Sequence, residues 1–309
     1  MTVQMPTTGS MLGTEELSLR SPAMRGALNL PADYPVVRLQ ARTGEQAVVS
    51  LFGAQVLSWT DADERELLYL SPKATLDGSA AIRGGIPVCW PQFNRRGPLV
   101  KHGFARVVPW QVIEQSESAV TLRLTRADVP EGLLQDADGA MAWLHDFEVD
   151  LTVRLASARL NVELAVRNTG TTAFAFTTAL HSYLAVDAID ALAISGAEGQ
   201  RYWDAVAGAD PEYPVQQGDI VFQGEVDRVY PALPRATLQQ SSHWLRVSQP
   251  ASMEQTVVWN PGAALCATLH DLPADGYHRF VCVEAAQIDT PVRLEPGQGW
   301  LGGQTLQVA

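Results

Sequence analysis

The amino-acid sequence predicts an all-β protein built as a large antiparallel sandwich. Short segments in which apolar and polar residues alternate recur about every ten residues, and turn residues bound them. Helical periodicity is confined to two short stretches, residues 131–136 and 263–269. A long series of strands with almost no helix is typical of sandwich proteins with antiparallel sheets.

The alternating segments give a series of predicted strands. Regular structure is expected to begin near Val36, because residues 1–30 are polar and aperiodic and predict a loose N-terminal arm. Residues 31–309 are then expected to form a single sandwich domain. In chain order the strands are predicted over residues 47–59, 119–125, 146–155, 159–168, 172–186, 243–249, 255–260, 279–285 and 300–309.

Composition limits the classes of partner. The net charge of −12 disfavours nucleic acid, whose binding needs basic surface. No apolar run reaches the roughly 18 residues of a membrane span, and the start of the chain lacks the pattern of a signal peptide. We therefore expect a cytoplasmic protein, monomeric or weakly homo-oligomeric. The three cysteines show no metal-ligand spacing and are expected to be buried free thiols: Cys89, Cys266 and Cys282.

Residues 82–110 depart from the strand pattern and predict a long structured loop. Glycines in this segment permit close approaches of the backbone, and prolines remove conformational freedom. Such a rigid loop on a β scaffold commonly holds a ligand. The segment contains basic residues and no Asp or Glu, in a chain that is otherwise acidic: Arg83, Arg95, Arg96, Lys101 and Arg106. This basic cluster suits a small anion, with a solvated loop as the alternative.

Two titratable residues stand in apolar strands. Strand alternation places His181 on the same face as Tyr183, and it places Glu284 on the same face as Cys282. A buried glutamate is uncommon unless it is paired or functional, and two such groups facing one cleft would supply a general acid and a general base. A zinc site that also uses His102 is the rival, but no HxH or HxxxH spacing supports it. We therefore expect no metal.

A set of motifs in the chain resembles those of the glucose-6-phosphate 1-epimerases, also called hexose-6-phosphate mutarotases, of the galactose mutarotase-like superfamily. The resemblance covers the chain from about residue 35 to the C-terminus, and the motifs occur in the family's order. They are IRGGIPVCWPQF (82–93), KHGFARVVPW (101–110), ALHSYLAV (179–186), EVDRVY (225–230), VVWNP (257–261) and FVCVE (280–284).

The resemblance implies a β-supersandwich whose site lies in a cleft and uses neither a cofactor nor a metal. At matching positions, His181 would be the general acid and Glu284 the general base. The substrate would be a sugar phosphate, held at the remaining matched positions: Arg83 and Arg106 near the phosphate, Asp227, His102 on the sugar, and Lys101 at a position that varies in the family. Arg95 and Arg96 are weaker candidates for the phosphate.

The function implied is that of an isomerase that interconverts the α and β anomers of a hexose 6-phosphate by opening and closing the ring. An aldose 1-epimerase acting on free sugars is the nearest alternative, and the acid-free basic loop argues against it. A non-catalytic carbohydrate-binding or regulatory module stays open because fold does not fix function. A glycosidase would need Asp227 to join Glu284 as a second carboxylate.

Overall fold

Antiparallel strands dominate the computed structural model, which describes residue 28 and residues 30–208 and 213–309. Within these ranges, eighteen strands form three sheets of three, seven and eight strands. The predicted all-β antiparallel architecture is therefore confirmed. The predicted arm over residues 1–30 lies almost entirely outside the described residues.

The smallest sheet comes from the N-terminal part of the chain. It contains β1 (Val36–Gln40), β2 (Gln46–Ser50) and β3 (Val56–Thr60) in that order. The single strand predicted over residues 47–59 is wrong, because the chain reverses at Gly53, where φ is +73°. A Cβ at Gly53 would lie 2.8 Å from the carbonyl oxygen of Arg106, so the turn packs directly on that backbone.

The eight-stranded sheet forms one wall of the core. Its strands lie in the order β11-β14-β15-β18-β8-β7-β6-β5. Burial alternates along the central strands, which is the pattern that the sequence shows. The strands are β5 (Gln111–Gln115), β6 (Ala119–Thr125), β7 (Phe147–Ala156), β8 (Arg159–Asn168), β11 (Ala193–Ser195), β14 (Arg235–Gln239), β15 (Trp244–Ser248) and β18 (Gly299–Val308).

The seven-stranded sheet forms the opposite wall. Its order is β12-β13-β16-β17-β9-β4, and β10 pairs with β17. The strands are β4 (Val88–Cys89), β9 (Phe174–Leu180), β10 (Tyr183–Ala185), β12 (Trp203–Asp204), β13 (Val226–Tyr230), β16 (Gln255–Asn260) and β17 (Phe280–Leu294).

The two faces of the seven-stranded sheet differ. Val258 and Val283 pair across β16 and β17 and point into the apolar core between the large sheets. On the opposite face, called the outer face below, one row of paired residues crosses four strands: Asp227, Trp259, Cys282 and Tyr183. Side chains of β13, β10 and β17 that the sequence analysis singled out are thereby gathered on one surface.

Helical structure is short throughout the described residues. An α-helix, α1 (Gly262–Cys266), overlaps the predicted stretch 263–269, and a 3₁₀ turn lies within the predicted stretch 131–136. No helix in the described ranges is long and apolar enough to cross a bilayer. The 3₁₀ turns span Ala105–Val107, Arg126–Asp128, Glu131–Leu134, Ile189–Ala191 and Gly276–Arg279.

Candidate active site

His181 and Glu284 meet on the outer face of the seven-stranded sheet. His181 Nε2 lies 3.3 Å from Glu284 Oε1. The exposed fraction is 9% for His181 and 1% for Glu284. As predicted from alternation, Glu284 points to the outer face while Val281 and Val283 pack in the core. Two proton-exchanging groups therefore stand side by side at a buried position.

His181 occupies a break in the sheet rather than the continuous strand predicted over residues 172–186. The N–H of Ser182 donates to the carbonyl of Leu180 at 3.0 Å, which closes a three-residue turn centred on His181. The N–H of His181 donates to the carbonyl of Pro87 at 3.0 Å. The ring of His181 still stacks on Tyr183, with centroids 5.0 Å apart, so the prediction that the two share a face is confirmed.

Burial shifts the pKa values of both residues of the pair. It raises the pKa of Glu284 well above its usual range, and the charge of Asp227 raises it further while Arg106 and Lys101 oppose the shift. It also lowers the pKa of His181 well below its usual range, with Arg106 and Arg83 acting in the same direction. Burial thus disfavours both charged forms, so a proton shared by the pair is favoured on the carboxyl.

Several buried polar atoms at the site point to a polar ligand. His181 Nδ1, Glu284 Oε2 and Arg106 Nε have no hydrogen-bond partner among the described residues. Buried donors and acceptors without partners are costly and uncommon, and functional sites are one place where they are retained. All three of these atoms belong to residues that the sequence predicted as functional.

His102 is fixed as a hydrogen-bond donor. Its backbone has a φ of +67°, and its N–H donates to the carbonyl of Asn94 at 2.9 Å. The N–H of Asn94 donates in return to His102 Nδ1 at 3.2 Å, so the proton of the neutral ring sits on Nε2. Burial and the neighbouring His181 lower the pKa of His102. The ring lies 5.6 Å from that of His181, so this donor belongs to the same site.

Gln92 shapes the loop that carries His102. Its buried side chain donates from Nε2 to the carbonyl of Leu99 at 3.0 Å and accepts the N–H of Leu99 through Oε1 at 2.9 Å. Gly103 follows His102 with a φ of +70°, and a Cβ there would lie 2.2 Å from the carbonyl oxygen of Trp90. The rigid loop predicted over residues 82–110 therefore owes its shape to one amide and to close backbone packing.

Arg83 lies beside the pair but already has two protein partners. Its Nε donates to Asp271 Oδ2 at 2.9 Å, and its Nη1 donates to the hydroxyl of Tyr183 at 2.8 Å. No motif in the sequence marks Asp271 as a partner of Arg83, and it lies 188 positions further along the chain. Tyr183 could have been found, since it shares a motif and a strand face with His181.

The other predicted ligands gather around the same centre. Arg106 donates from Nη2 to the backbone carbonyl of Lys101 at 3.0 Å. Burial raises the pKa of Asp227 to about 6, Glu225 adds to the effect, and the positive charge of Lys101 opposes it. Burial, and then the charge of Arg106, lowers the pKa of Lys101. These effects place Lys101, Arg106 and Asp227 within electrostatic range of Glu284, and they place Lys101 within range of the other two.

The two weaker candidates, Arg95 and Arg96, lie on an exposed stretch of the loop, within electrostatic range of Lys101 and Asp227 respectively. Arg96 pairs with Asp289 at 3.0 Å and lies over the ring of Trp203. No group of three or more His, Cys, Asp or Glu side chains in the described part of the chain is arranged to hold a metal ion. The predicted burial of the three free cysteines is confirmed.

Sequence comparison places the chain among named relatives. The family model for aldose 1-epimerase matches residues 35–307. A protein of Cenchrus ciliaris named "Putative glucose-6-phosphate 1-epimerase" is 34% identical over 278 residues, which cover 88% of this chain and 84% of that protein. A protein of the same name from Escherichia coli K12 is 36% identical over 267 residues, covering 82% of this chain and 81% of the relative.

Solved structures agree with the sequence matches. A Salmonella typhimurium protein described as a "putative mutarotase" superposes with a TM-score of 0.74 at 30% identity, covering 89% of this chain and 90% of that one. The Slr1438 protein of Synechocystis shares the fold, with a TM-score of 0.71 at 20% identity over 90% of this chain and 96% of the other. The match over residues 35–307 shows that the chain belongs to the aldose 1-epimerase family.

Proposed function

We propose that the protein interconverts the α and β anomers of a hexose 6-phosphate, with glucose 6-phosphate as the test substrate. The observation that carries the proposal is the buried pair of His181 and Glu284, 3.3 Å apart, in a site that also contains Arg83, Lys101 and Arg106. Membership of the aldose 1-epimerase family supports the reaction class. The three cations support a phosphorylated substrate.

In the proposed reaction, Glu284 takes the proton of the anomeric hydroxyl while protonated His181 donates a proton to the ring oxygen. The bond between C1 and the ring oxygen breaks, and the hemiacetal becomes an open-chain aldehyde. Rotation about the C1–C2 bond turns the other carbonyl face to the hydroxyl, and closure with the proton transfers reversed gives the opposite anomer. The protein ends each turnover with the proton where it began.

The pair suits this exchange because its two working states contain the same number of protons. In one state the proton is on Glu284 and His181 is neutral. In the other the carboxylate is ionised and the imidazole is protonated. Burial favours the first state, whereas Arg106 and Lys101 stabilise the ionised carboxylate of the second. Substrate hydroxyls that hydrogen-bond to the carboxylate would bring the two states closer in free energy.

The three basic side chains of the site can bind the phosphate, while His102 and Asp227 bind the sugar. A guanidinium has five N–H donors, and Arg83 uses two of them on Asp271 and Tyr183. The rest are available to grip phosphate oxygens, and Lys101 and Arg106 add positive charge. The fixed Nε2–H of His102 can donate to a hydroxyl or ring oxygen, and Asp227 can accept from a hydroxyl.

Proton NMR exchange between the anomeric signals of glucose 6-phosphate tests the proposal. Exchange should accelerate over buffer at low protein concentration, and free glucose and galactose should be much less affected. Glu284→Gln, purified in parallel, serves as the matched control and should give the buffer rate. Equal acceleration of free and phosphorylated sugars would assign the chain to a free-sugar aldose 1-epimerase. Acceleration of neither would support a non-catalytic carbohydrate-binding module and overturn the proposal.

A further inference from the structure

Gln304 is a buried amide in the apolar core beneath the proposed catalytic pair. It lies on β18 opposite Val162, whose side chain belongs to the core, and only 3% of its surface is exposed.

The side chain of Gln304 crosses from the eight-stranded sheet to the seven-stranded sheet. There Nε2 donates to the carbonyl of Val283 at 2.9 Å, and Oε1 accepts the hydroxyl of Ser182. Both partners are direct neighbours of the pair, since Ser182 follows His181 and Val283 precedes Glu284.

This amide lies at the break in the sheet. β17 pairs with β9 through Ala285 and Leu180, and with β10 through Cys282 and Tyr183. Between these pairs, the N–H of Val283 donates to the carbonyl of Ser182 at 3.2 Å.

A regular antiparallel ladder would return a bond from the N–H of Ser182 to the carbonyl of Val283. That N–H is instead used within the turn, where it donates to Leu180. The side chain of Gln304 supplies the donor that the ladder lacks.

We propose that Gln304 is a positioning residue that maintains the turn at His181 and thereby holds its imidazole against Glu284. An unpaired carbonyl in the core would draw the N–H of Ser182 back into the ladder, because a buried acceptor without a donor is costly. The turn would then open, and the segment would become a continuous strand. The consequence for turnover rests on the proposed roles of His181 and Glu284, whereas the consequence for the turn does not.

The chain contains a matched control for a buried inter-sheet amide. Asn168 on β8 is fully buried, and its Nδ2 donates to the carbonyl of Leu294 on β17 at 3.0 Å. The bond joins the same two sheets as that of Gln304, and it also reaches β17. Leu294 ends β17, ten positions from Glu284, so Asn168 can test stability without the site.

The first experiment compares Gln304→Met, Ser182→Ala and Asn168→Leu in the full-length protein. Gln304→Met fills the same space without a donor, and it should lower kcat for glucose 6-phosphate by roughly 10- to 100-fold, the scale of a small misplacement of reacting groups, with KM nearly unchanged. Ser182→Ala keeps the bond to Val283 and should retain most of the activity. Asn168→Leu should lower the melting temperature but leave kcat near that of the wild type.

An activity-independent readout keeps the test separate from the proposed function. The imidazole signals of His181 and the amide exchange rates of Ser182 and Val283, followed by NMR, should change in Gln304→Met and not in Asn168→Leu. If Gln304→Met does not fold, Gln304→Asn keeps the amide but is one methylene too short to reach Val283. Should sugar anomers not be substrates at all, a changed His181 signal would still support the positioning role.

Two results would overturn the inference. One is a Gln304 variant that melts earlier while its kcat and its His181 signal match those of the wild type, which would make the amide a contributor to stability alone. The other is an equal loss of kcat in Asn168→Leu, which would show that any buried amide between the sheets has the same effect.

Discussion

The phenol ring of Tyr183 lies flat against the imidazole of His181, with ring centroids 5.0 Å apart and the planes inclined by 9°. The hydroxyl of the same tyrosine accepts a hydrogen bond from Arg83 at 2.8 Å. One side chain therefore contacts both the proposed general acid and a proposed phosphate ligand. It links the part of the site that would perform chemistry to the part that would bind the anion.

Substitutions at Tyr183 should separate these two contacts. Tyr183→Phe keeps the stacked ring but removes the hydroxyl that orients Arg83, so KM for glucose 6-phosphate should rise while kcat changes little. Tyr183→Leu removes the ring as well and should lower kcat. Steady-state rates from anomer exchange, measured for both variants, check this order. A loss of kcat in Tyr183→Phe as large as in Tyr183→Leu would contradict it.

Changes to the proposed acid and base should remove turnover without unfolding the protein. We expect Glu284→Gln and His181→Asn each to lower kcat by roughly 10²-fold or more, the usual effect of losing a positioned acid or base. Burial already disfavours the charged carboxylate, so glutamine at position 284 should not lower the melting temperature. Anomer exchange and thermal melts on one preparation test both points. Full activity in either variant would make that residue structural.

Arg83→Ala should weaken recognition of the phosphate. Hydrogen bonds to charged groups contribute about 1.5–3 kcal/mol, so kcat/KM for glucose 6-phosphate should fall roughly 10- to 150-fold, mostly through KM. Free glucose should react as before. Arg123→Ala is the control, because Arg123 is also ion-paired, to Asp150 at 2.7 Å, but lies on β6 in the eight-stranded sheet. Equal losses on both sugars would mean that Arg83 chiefly serves its pairing with Asp271.

The raised pKa of Asp227 predicts a pH-dependent gain in stability on its removal. Burial raises that pKa to about 6 from its usual value of 3.8. The folded state therefore binds the proton more tightly than the unfolded state, and wild-type stability falls as the pH rises from about 4 through about 6. Asp227→Asn should melt a few degrees higher than the wild type at about pH 7.5, with no gain at about pH 4.

Asp219→Asn, which changes an exposed carboxylate, provides the comparison for Asp227→Asn. It should give no such pH-dependent gain in melting temperature. A gain for Asp227→Asn of the same size at both pH values would show that its cause is not the proton.

Gly103→Ala should damage both stability and activity. Gly103 has a φ of +70°, and an added Cβ would lie 2.2 Å from the carbonyl oxygen of Trp90, so the loop must shift next to His102. Gly139→Ala is the control, because its φ is +82° but nothing lies within 4 Å of the added Cβ. The control should lose only the cost of the left-handed backbone, about 1–2 kcal/mol. Melting temperatures that fall equally in both variants would refute the packing argument.

Apolar-polar alternation was a sufficient guide for several regular strands, although β13 and β14 were not predicted. The predicted bounds of β6, β8 and β16 match those in the structure, because each has one face in the core. One predicted bound is also wrong, because β17 continues to Leu294 beyond the predicted end at residue 285. Two predicted strands are wrong because the backbone departs there from the period of two. One strand reverses at Gly53, and the other breaks at His181, and neither departure alters the apolar pattern that flanks it.

For the candidate site, the sequence predicted the candidate residues but not the residues that orient them. Alternation correctly gave the faces of His181 and Glu284, and the absence of acids in the loop marked its basic residues. The partners that orient these groups were not predictable, because Asp271 and Gln304 are brought to the site by tertiary contacts more than 100 positions away in sequence. A short-range pattern has no information about such contacts.

The turn at Gly53 connects the small sheet to one of the proposed phosphate ligands, Arg106. Gly53 donates its N–H to the carbonyl of Val108 at 2.8 Å, and a Cβ at position 53 would lie 2.8 Å from the carbonyl oxygen of Arg106. The tip of the hairpin thus packs directly against the backbone of Arg106. A side chain at this tip would displace the backbone of Arg106, so we expect a substitution at Gly53 to change the affinity for an anion at the proposed site, from a turn about fifty positions earlier in the chain.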